Sequence, residues 1–231
     1  MIFGLTVVMY AYLAMAYVFR GHVSVYSVPI VLFALYFVDA GSGVVHFVID
    51  YTPNVRNVGL KELFEYKGKK GSQEYIAMRD TAMRKINGFQ ELIFDFKVHH
   101  LSPRTLGRRS LLRMTLPIVV FGTFPSTLVI LVLGESTLLH ADVSLFCLVV
   151  LAAGTIAQYA HACTHKREVP PVIKALQACH LLLTEREHQG HHVDPQRDFC
   201  LLNGWANPLI NRVFQVVLAR GYLRTEGLRV V

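Results

Sequence analysis

Four apolar stretches, each close to or above the length needed to cross a bilayer, constrain this chain more than any other feature. Phe3 to Phe19 holds no charged residue, and Arg20 closes it. A second stretch runs from Val23 to Ile49, carrying Asp39 within it and Pro29 as an expected kink. The third and fourth, residues 114–134 and 143–160, are separated by a short link. About 20 apolar residues span the hydrocarbon core as a helix, and a helix satisfies its own backbone where no water can. The expected fold is therefore all-α, a four-span integral membrane protein forming a single domain over residues 1–231. No Lys or Arg precedes the first run and no small-residue cleavage site follows it, so it reads as a retained span rather than a signal peptide.

Charge fits this layout. Four spans place the N-terminus, residues 51–113 and residues 161–231 on one side of the membrane. Of the 23 Lys and Arg residues, all but Arg20 fall there, so that side is expected to be cytoplasmic. The net charge of +7 thus needs no nucleic acid, for which the sequence carries no motif. A multi-pass protein of the endoplasmic reticulum follows if the source is eukaryotic, and of the cytoplasmic membrane if bacterial. The four cysteines form no CxxC pair, which argues against a disulfide framework or a zinc ribbon. Within the polar segments, residues 72–98 read as helical with a break at Asn87-Gly88, and Val172 to Leu183 as a short apolar helix.

The same layout gathers the histidines. His46 ends the second span, His99 and His100 precede the third, and His161 and His165 leave the fourth. His180, His188, His191 and His192 follow, so only His22 and His140 of the 11 histidines lie on the opposite side. In Glu187-His188-Gln189-Gly190-His191-His192 the positions i, i+3 and i+4 share a helix face, so the three imidazoles are expected to aim at one point. On the second span Asp39, Ser42, His46 and Asp50 fall on one stripe. A carboxylate inside a span is costly and suggests function.

Nine imidazoles exceed what one structural or catalytic zinc requires, and point to two metal ions. The zinc-peptidase pattern HExxH does not occur. Two irons with mainly histidine ligands suit oxygen activation, in which the cofactor supplies the redox chemistry. Oxygen-dependent desaturation or hydroxylation of a neighbouring lipid tail is the chemistry expected. The rival class is a metal-binding membrane protein or transporter, which predicts ionisable groups along several spans; here only Asp39 is deep.

The motifs also resemble a known family. Asp39-Ala-Gly-Ser42-Gly43-Val-Val-His46-Phe47-Val-Ile-Asp50 is similar to the D-x-x-S-G-x-x-H-W-x-x-D of the plasmanylethanolamine desaturases, the Kua-type lipid desaturase domain. That family includes a plant plastid enzyme acting on a phosphatidylglycerol acyl chain. The likeness continues through Phe96-Lys97-Val98-His99-His100-Leu-Ser-Pro103, Gln158-x-x-His161-x-x-x-His165 and Gln177-x-x-His180. It closes with His188-x-x-His191-His192-x-x-Pro195 and Phe199-Cys200-x-x-Asn203-Gly204-Trp205-x-Asn207. Phe47 stands where the family often has Trp, and Glu187 where relatives can have another histidine.

The resemblance implies a di-iron, O2-dependent membrane lipid desaturase acting on an alkyl-ether chain, as in plasmalogen formation, or on an acyl chain. Its electrons would come from cytochrome b5 or a ferredoxin-like donor. The histidine-rich di-iron cap, residues 51–113 and 161–231, would face the cytoplasm. His46, His99, His100, His161, His165, His180, His188, His191 and His192 are the implied ligands. Asp39, Asp50 and Asp194 are expected to orient imidazole N–H groups, as the partners of metal-bound histidines generally do.

Overall fold

The computed structural model describes residues 1–135, 140–223 and 227–230. Half of the link expected between the last two spans, residues 136–139, and Arg224 of the basic tail lie outside these residues. Among the described residues every regular element is a helix. Four stretches are long and apolar enough to cross a membrane: Ile2–Phe19 (α1), Ser27–Tyr51 (α2), Leu111–Leu133 and Ala141–Thr164. Between the second and third lie α3 (Leu60–Glu65), α4 (Gln73–Met83), α5 (Gly88–Leu101) and α6 (Pro103–Gly107). The third span comprises α7 (Leu111–Ile118), a π-helical turn at Val119–Thr123 and α8 (Phe124–Glu135). After α9 (Ala141–Thr164) come α10 (Pro171–Ala178), α11 (Glu185–Val193) and α12 (Asn207–Ala219).

The second and fourth spans form the central pair. Ala153, Ala157 and Ala160 of α9 are buried in one cluster with Val38 of α2, and small residues let membrane helices approach closely. The Tyr10 hydroxyl, 3.2 Å from Thr155 Oγ1, ties α1 to the same helix. Large apolar side chains such as Phe33, Phe121 and Val132 remain uncovered on the spans, where hydrocarbon rather than water is their solvent.

Two of the three prolines in the spans, Pro29 and Pro117, show how such residues are accommodated. Pro29 sits in the first turn of α2, where its missing N–H breaks no intrahelical bond, so the kink expected there has no cause. Pro117 lies inside α7 and is followed by the π-turn, which adjusts the hydrogen-bond ladder it interrupts. The second span starts later than Val23 because Ser24 and Ser27 form a turn first, with Ser24 N donating to Ser27 Oγ at 3.0 Å.

Outside the spans, side-chain caps start α4, α5 and α11. Asn87 accepts from Gln90 N at 2.9 Å, so Asn87-Gly88 is the expected break made into an N-cap. Thr184 and Glu187 form a reciprocal capping box that starts α11. Ile93 and Phe96 of α5 pack on Ile49 of α2, while Phe214 of α12 packs on Phe47 and Tyr51. These two contacts hold α5 and the 199–214 segment against the end of α2 that carries His46.

Candidate metal centre

The histidines converge from four chain segments, and they do so as two groups. His99, His161, His165, His188 and His192 form one; His46, Asp50, His100 and His191 form the other. Within each group one donor atom per residue lies within 4.8 Å of every other. The division follows helical geometry, because neighbouring residues on a helix point about 100° apart and cannot face one spot. His99 and His100 are therefore split between the groups, and so are His191 and His192. The convergence of His188, His191 and His192 on one point does not occur. The i, i+4 pair His188 and His192 shares a group, while His191 turns to the other.

In the five-imidazole group the Nε2 atoms face inward. His188 Nε2 lies 2.9 Å from that of His161 and 3.1 Å from that of His192. His165 Nε2 is 3.3 Å from His192 Nε2 and 3.4 Å from His161 Nε2. In the second group the Asp50 Oδ2 atom is the hub, 3.3 Å from His46 Nε2, 3.2 Å from His100 Nε2 and 3.5 Å from His191 Nε2. Asp50 was expected to orient imidazoles from outside, yet it stands among the donors.

Backbone carbonyls select the tautomers. His46 Nδ1 donates to Phe199 O at 2.8 Å, His191 Nδ1 to Arg197 O at 2.7 Å, and His99 Nδ1 to Phe96 O. A neutral imidazole that donates from Nδ1 leaves the Nε2 lone pair free to bind a cation. The Nε2 atoms of His46, His99 and His191, and Asp50 Oδ1, are buried without a hydrogen-bond partner. Such atoms are costly unless something satisfies them. Burial, reinforced by neighbouring imidazoles, lowers the pKa of His165 to about 4 and of His192 to about 3. It holds His99 and His188 well below the usual histidine range. These four imidazoles are thus in the neutral form that ligates. Converging lone pairs on buried nitrogens, with one carboxylate, fit two metal ions, one per group.

Asp39 serves a different purpose from the one its motif suggested. Its Oδ1 accepts the backbone N–H groups of Leu202, Asn203 and Gly204 at 3.1, 2.9 and 3.1 Å, and Oδ2 accepts that of Ala206 at 3.0 Å. Ser42 Oγ donates to Asp39 O at 2.6 Å and accepts from Leu201 N at 2.9 Å. Gly43 completes the socket, since a Cβ there would lie 2.9 Å from Cys200 Sγ. Asp39, Ser42 and Gly43 thus hold the 200–206 loop rather than an imidazole, and that loop begins next to the Phe199 carbonyl on which His46 rests. Asn207 Oδ1 and Asn203 Oδ1 accept from Cys200 N and Trp205 N within the same loop.

Asp194 also stands apart. It accepts from Gln196 N at 3.1 Å and lies 3.6 Å from Arg197 Nε, shaping the turn whose Arg197 carbonyl receives His191. His180 joins neither group: its side chain is exposed and its Nδ1 is 3.8 Å from Glu187. It adopts φ +55° at the end of α10, where His180 N bonds Gln177 O and Leu181 N bonds Leu176 O. This left-handed stop shortens the helix expected to reach Leu183 and turns the ring outward. Glu187 is spent on the α11 cap. His140, expected to be uninvolved, is exposed and caps α9 through Asp142 N. The Phe199 and Arg197 carbonyls carried no side-chain signal, so only the folded geometry identifies them.

Comparison with known proteins points the same way. The lipid desaturase domain family matches residues 82–217, which include the histidines of α5, α9 and α11 but not His46 or Asp50. Fatty acid desaturase 4-like 1, chloroplastic, of Arabidopsis thaliana is 30% identical over 119 residues, 49% of this chain and 38% of that protein. Fatty acid desaturase 4, chloroplastic, of the same plant is 29% identical over 128 residues, 53% of this chain and 38% of that protein. The chain therefore spans about two-fifths of the length of the curated relatives it matches. No solved structure matches it. With well over half of its residues inside the family match, the chain belongs to the lipid desaturase domain family.

Proposed function

We propose that this protein is an O2-dependent, di-iron lipid desaturase that places a double bond in an alkyl-ether or acyl chain of a membrane lipid. The observation that carries this reading is the pair of adjacent donor groups at the ends of apolar spans, in a chain of the lipid desaturase domain family. The ligand set is His99, His161, His165, His188 and His192 for one iron, and His46, Asp50, His100 and His191 for the other. Bound iron would supply the redox chemistry, in which O2, with two electrons from a donor such as cytochrome b5 or a ferredoxin and two protons, would take one hydrogen from each of two adjacent methylenes and leave as two waters.

The chain's own residues do the rest. Phe199 O, Arg197 O and Phe96 O each hold one Nδ1 proton, which fixes the rings of His46, His191 and His99 with Nε2 facing inward. Asp50 contributes the one negative charge of its group. Burial of His46, His161, His188 and His191 keeps water from the donors. The whole of residues 1–231 acts as one domain, with the cap of residues 51–113 and 161–231 on the cytoplasmic face.

Mass spectrometry of lipids from cells with and without the protein tests this reading. The expected product is lighter than its substrate by two hydrogens and disappears when O2 is withheld. A product heavier by one oxygen would make the protein a hydroxylase, and unchanged lipids under reducing, aerobic conditions would end the proposal.

A further inference from the structure

We propose that the basic cleft between α6 and the α9–α10 connection binds the phosphodiester of a phospholipid headgroup, an inference that rests on the lipid desaturase reading. The cleft has a volume of about 690 Å³, and a smaller lobe of about 360 Å³ shares its Arg104, Arg108, Lys166 and Arg167 walls. His165 lines both lobes and belongs to the five-imidazole group. A ligand in the cleft is therefore a neighbour of the metal centre.

Charge and depth identify the ligand. Arg104 and Arg108 lie a few residues before the third span begins at Leu111, and Lys166 and Arg167 just after the fourth ends at Thr164. That is the level at which phosphates of a bilayer sit. Lys166 is already engaged, donating to Gly107 O at 2.9 Å and Arg109 O at 3.4 Å, and so fastens the two walls together. Among the described residues, Arg104, Arg108 and Arg167 make no ion pair, whereas nearby Arg109 is paired with Asp95 at 2.6 Å. Lys70 adds a further positive charge at the rim, donating to Ser102 Oγ at 3.0 Å. Glu185 and Glu168 are the acidic groups of the two lobes, so cations outnumber them. Unpaired guanidinium groups around a cavity favour phosphate, whose oxygens accept their forked N–H pairs.

The test uses the purified, metal-loaded full chain in neutral detergent. Calorimetric titration compares dihexanoyl phosphatidylglycerol below its micellar concentration with dihexanoylglycerol, which lacks the phosphate, and with inorganic phosphate. Phosphatidylglycerol is expected to bind more tightly than either. R108Q and R167Q should each weaken it by about tenfold, the scale of one charge-assisted hydrogen bond. R220Q, at the exposed end of α12, should leave it unchanged. Metal content reports whether each variant is folded.

Equal affinity for the lipids with and without phosphate overturns the assignment on the wild-type protein alone. Inorganic phosphate binding as tightly as the lipid would make this a free-anion site. Variants that retain lipid binding but lose an acidic electron-donor protein would make the face a docking surface for that donor. Because binding is read without turnover, a chain that binds the lipid through these arginines yet forms no double bond would refute the desaturase reading and leave the cleft standing.

Discussion

His46 Nδ1 lies 2.8 Å from the carbonyl oxygen of Phe199, a bond across 153 positions of sequence. It joins the end of a membrane helix to a loop, and the loop is itself held by that helix one and two turns earlier. Asp39 gathers the loop's N–H groups, Ser42 takes one more, and His46 donates into the carbonyl next to the loop. The stripe of Asp39, Ser42, His46 and Asp50 is one device, with a socket at its start and two members of the Asp50 group at its end.

Asp39→Asn tests the socket. An amide has one oxygen where the carboxylate uses two, so an N–H group of the loop would face an NH2. A buried donor left unpaired costs about 1–3 kcal/mol. The variant should melt at a lower temperature and hold less metal in the group that contains His46. Unchanged melting and metal content would show that the loop does not depend on this carboxylate.

The two-group arrangement predicts separable metal losses. Asp50→Ala removes the hub of one group and should lower iron by about one ion per chain, because losing a ligand weakens that ion while the other keeps its donors. His165→Ala should remove about one ion from the other group. Elemental analysis of protein expressed with iron supplied and zinc limited reads the outcome, since imidazole sites otherwise favour zinc. If either variant loses both ions together, the donors form one cooperative centre.

His180→Gly should keep its full metal content. Gly adopts the left-handed conformation at this position without the cost of about 1–2 kcal/mol borne by other residues, so the variant should be slightly more stable. Loss of metal from this variant would return His180 to the ligand set.

How much of this was legible in the sequence depends on the kind of interaction. The spans showed because uncharged runs of this length have few other uses, and the histidine pairs showed because HxxxH and HH spacing is compact. The division into two groups was hidden in plain view: His191 and His192 are adjacent, and helical geometry forbids adjacent residues a common target. Asp39 was misassigned because a carboxylate near imidazoles suggests a ring partner, whereas the backbone N–H groups it serves have no identity in sequence. His180 matched a motif position but carries a positive φ, a property of the local chain path that spacing does not encode.

Orientation follows from the charges. If the side bearing nearly all Lys and Arg is cytoplasmic, a tag before α1 or after α12 should be reached only from the cytoplasm. A tag beside His140 should be reached from the other side. Opposite labelling of the two termini would remove the four-span arrangement that brings α2, α5, α9 and α11 to one face.

His191→Ala separates chemistry from structure. His191 is fully buried, lies 3.5 Å from Asp50 Oδ2 and donates to the Arg197 carbonyl, so its loss removes one donor and releases the turn that held it. The apolar spans do not involve this side chain, so the variant should still insert. Loss of a partner one step further from a metal already costs about 10–100-fold. Product formation should therefore fall to about one hundredth or less, while His140→Ala, an exposed cap on the opposite side, should retain nearly full activity. Lipid mass spectrometry with O2 and a reductant supply measures both, and membrane fractionation confirms insertion. Full O2-dependent product from His191→Ala would place the reacting centre elsewhere, and so would loss of product from an inserted, folded His140→Ala.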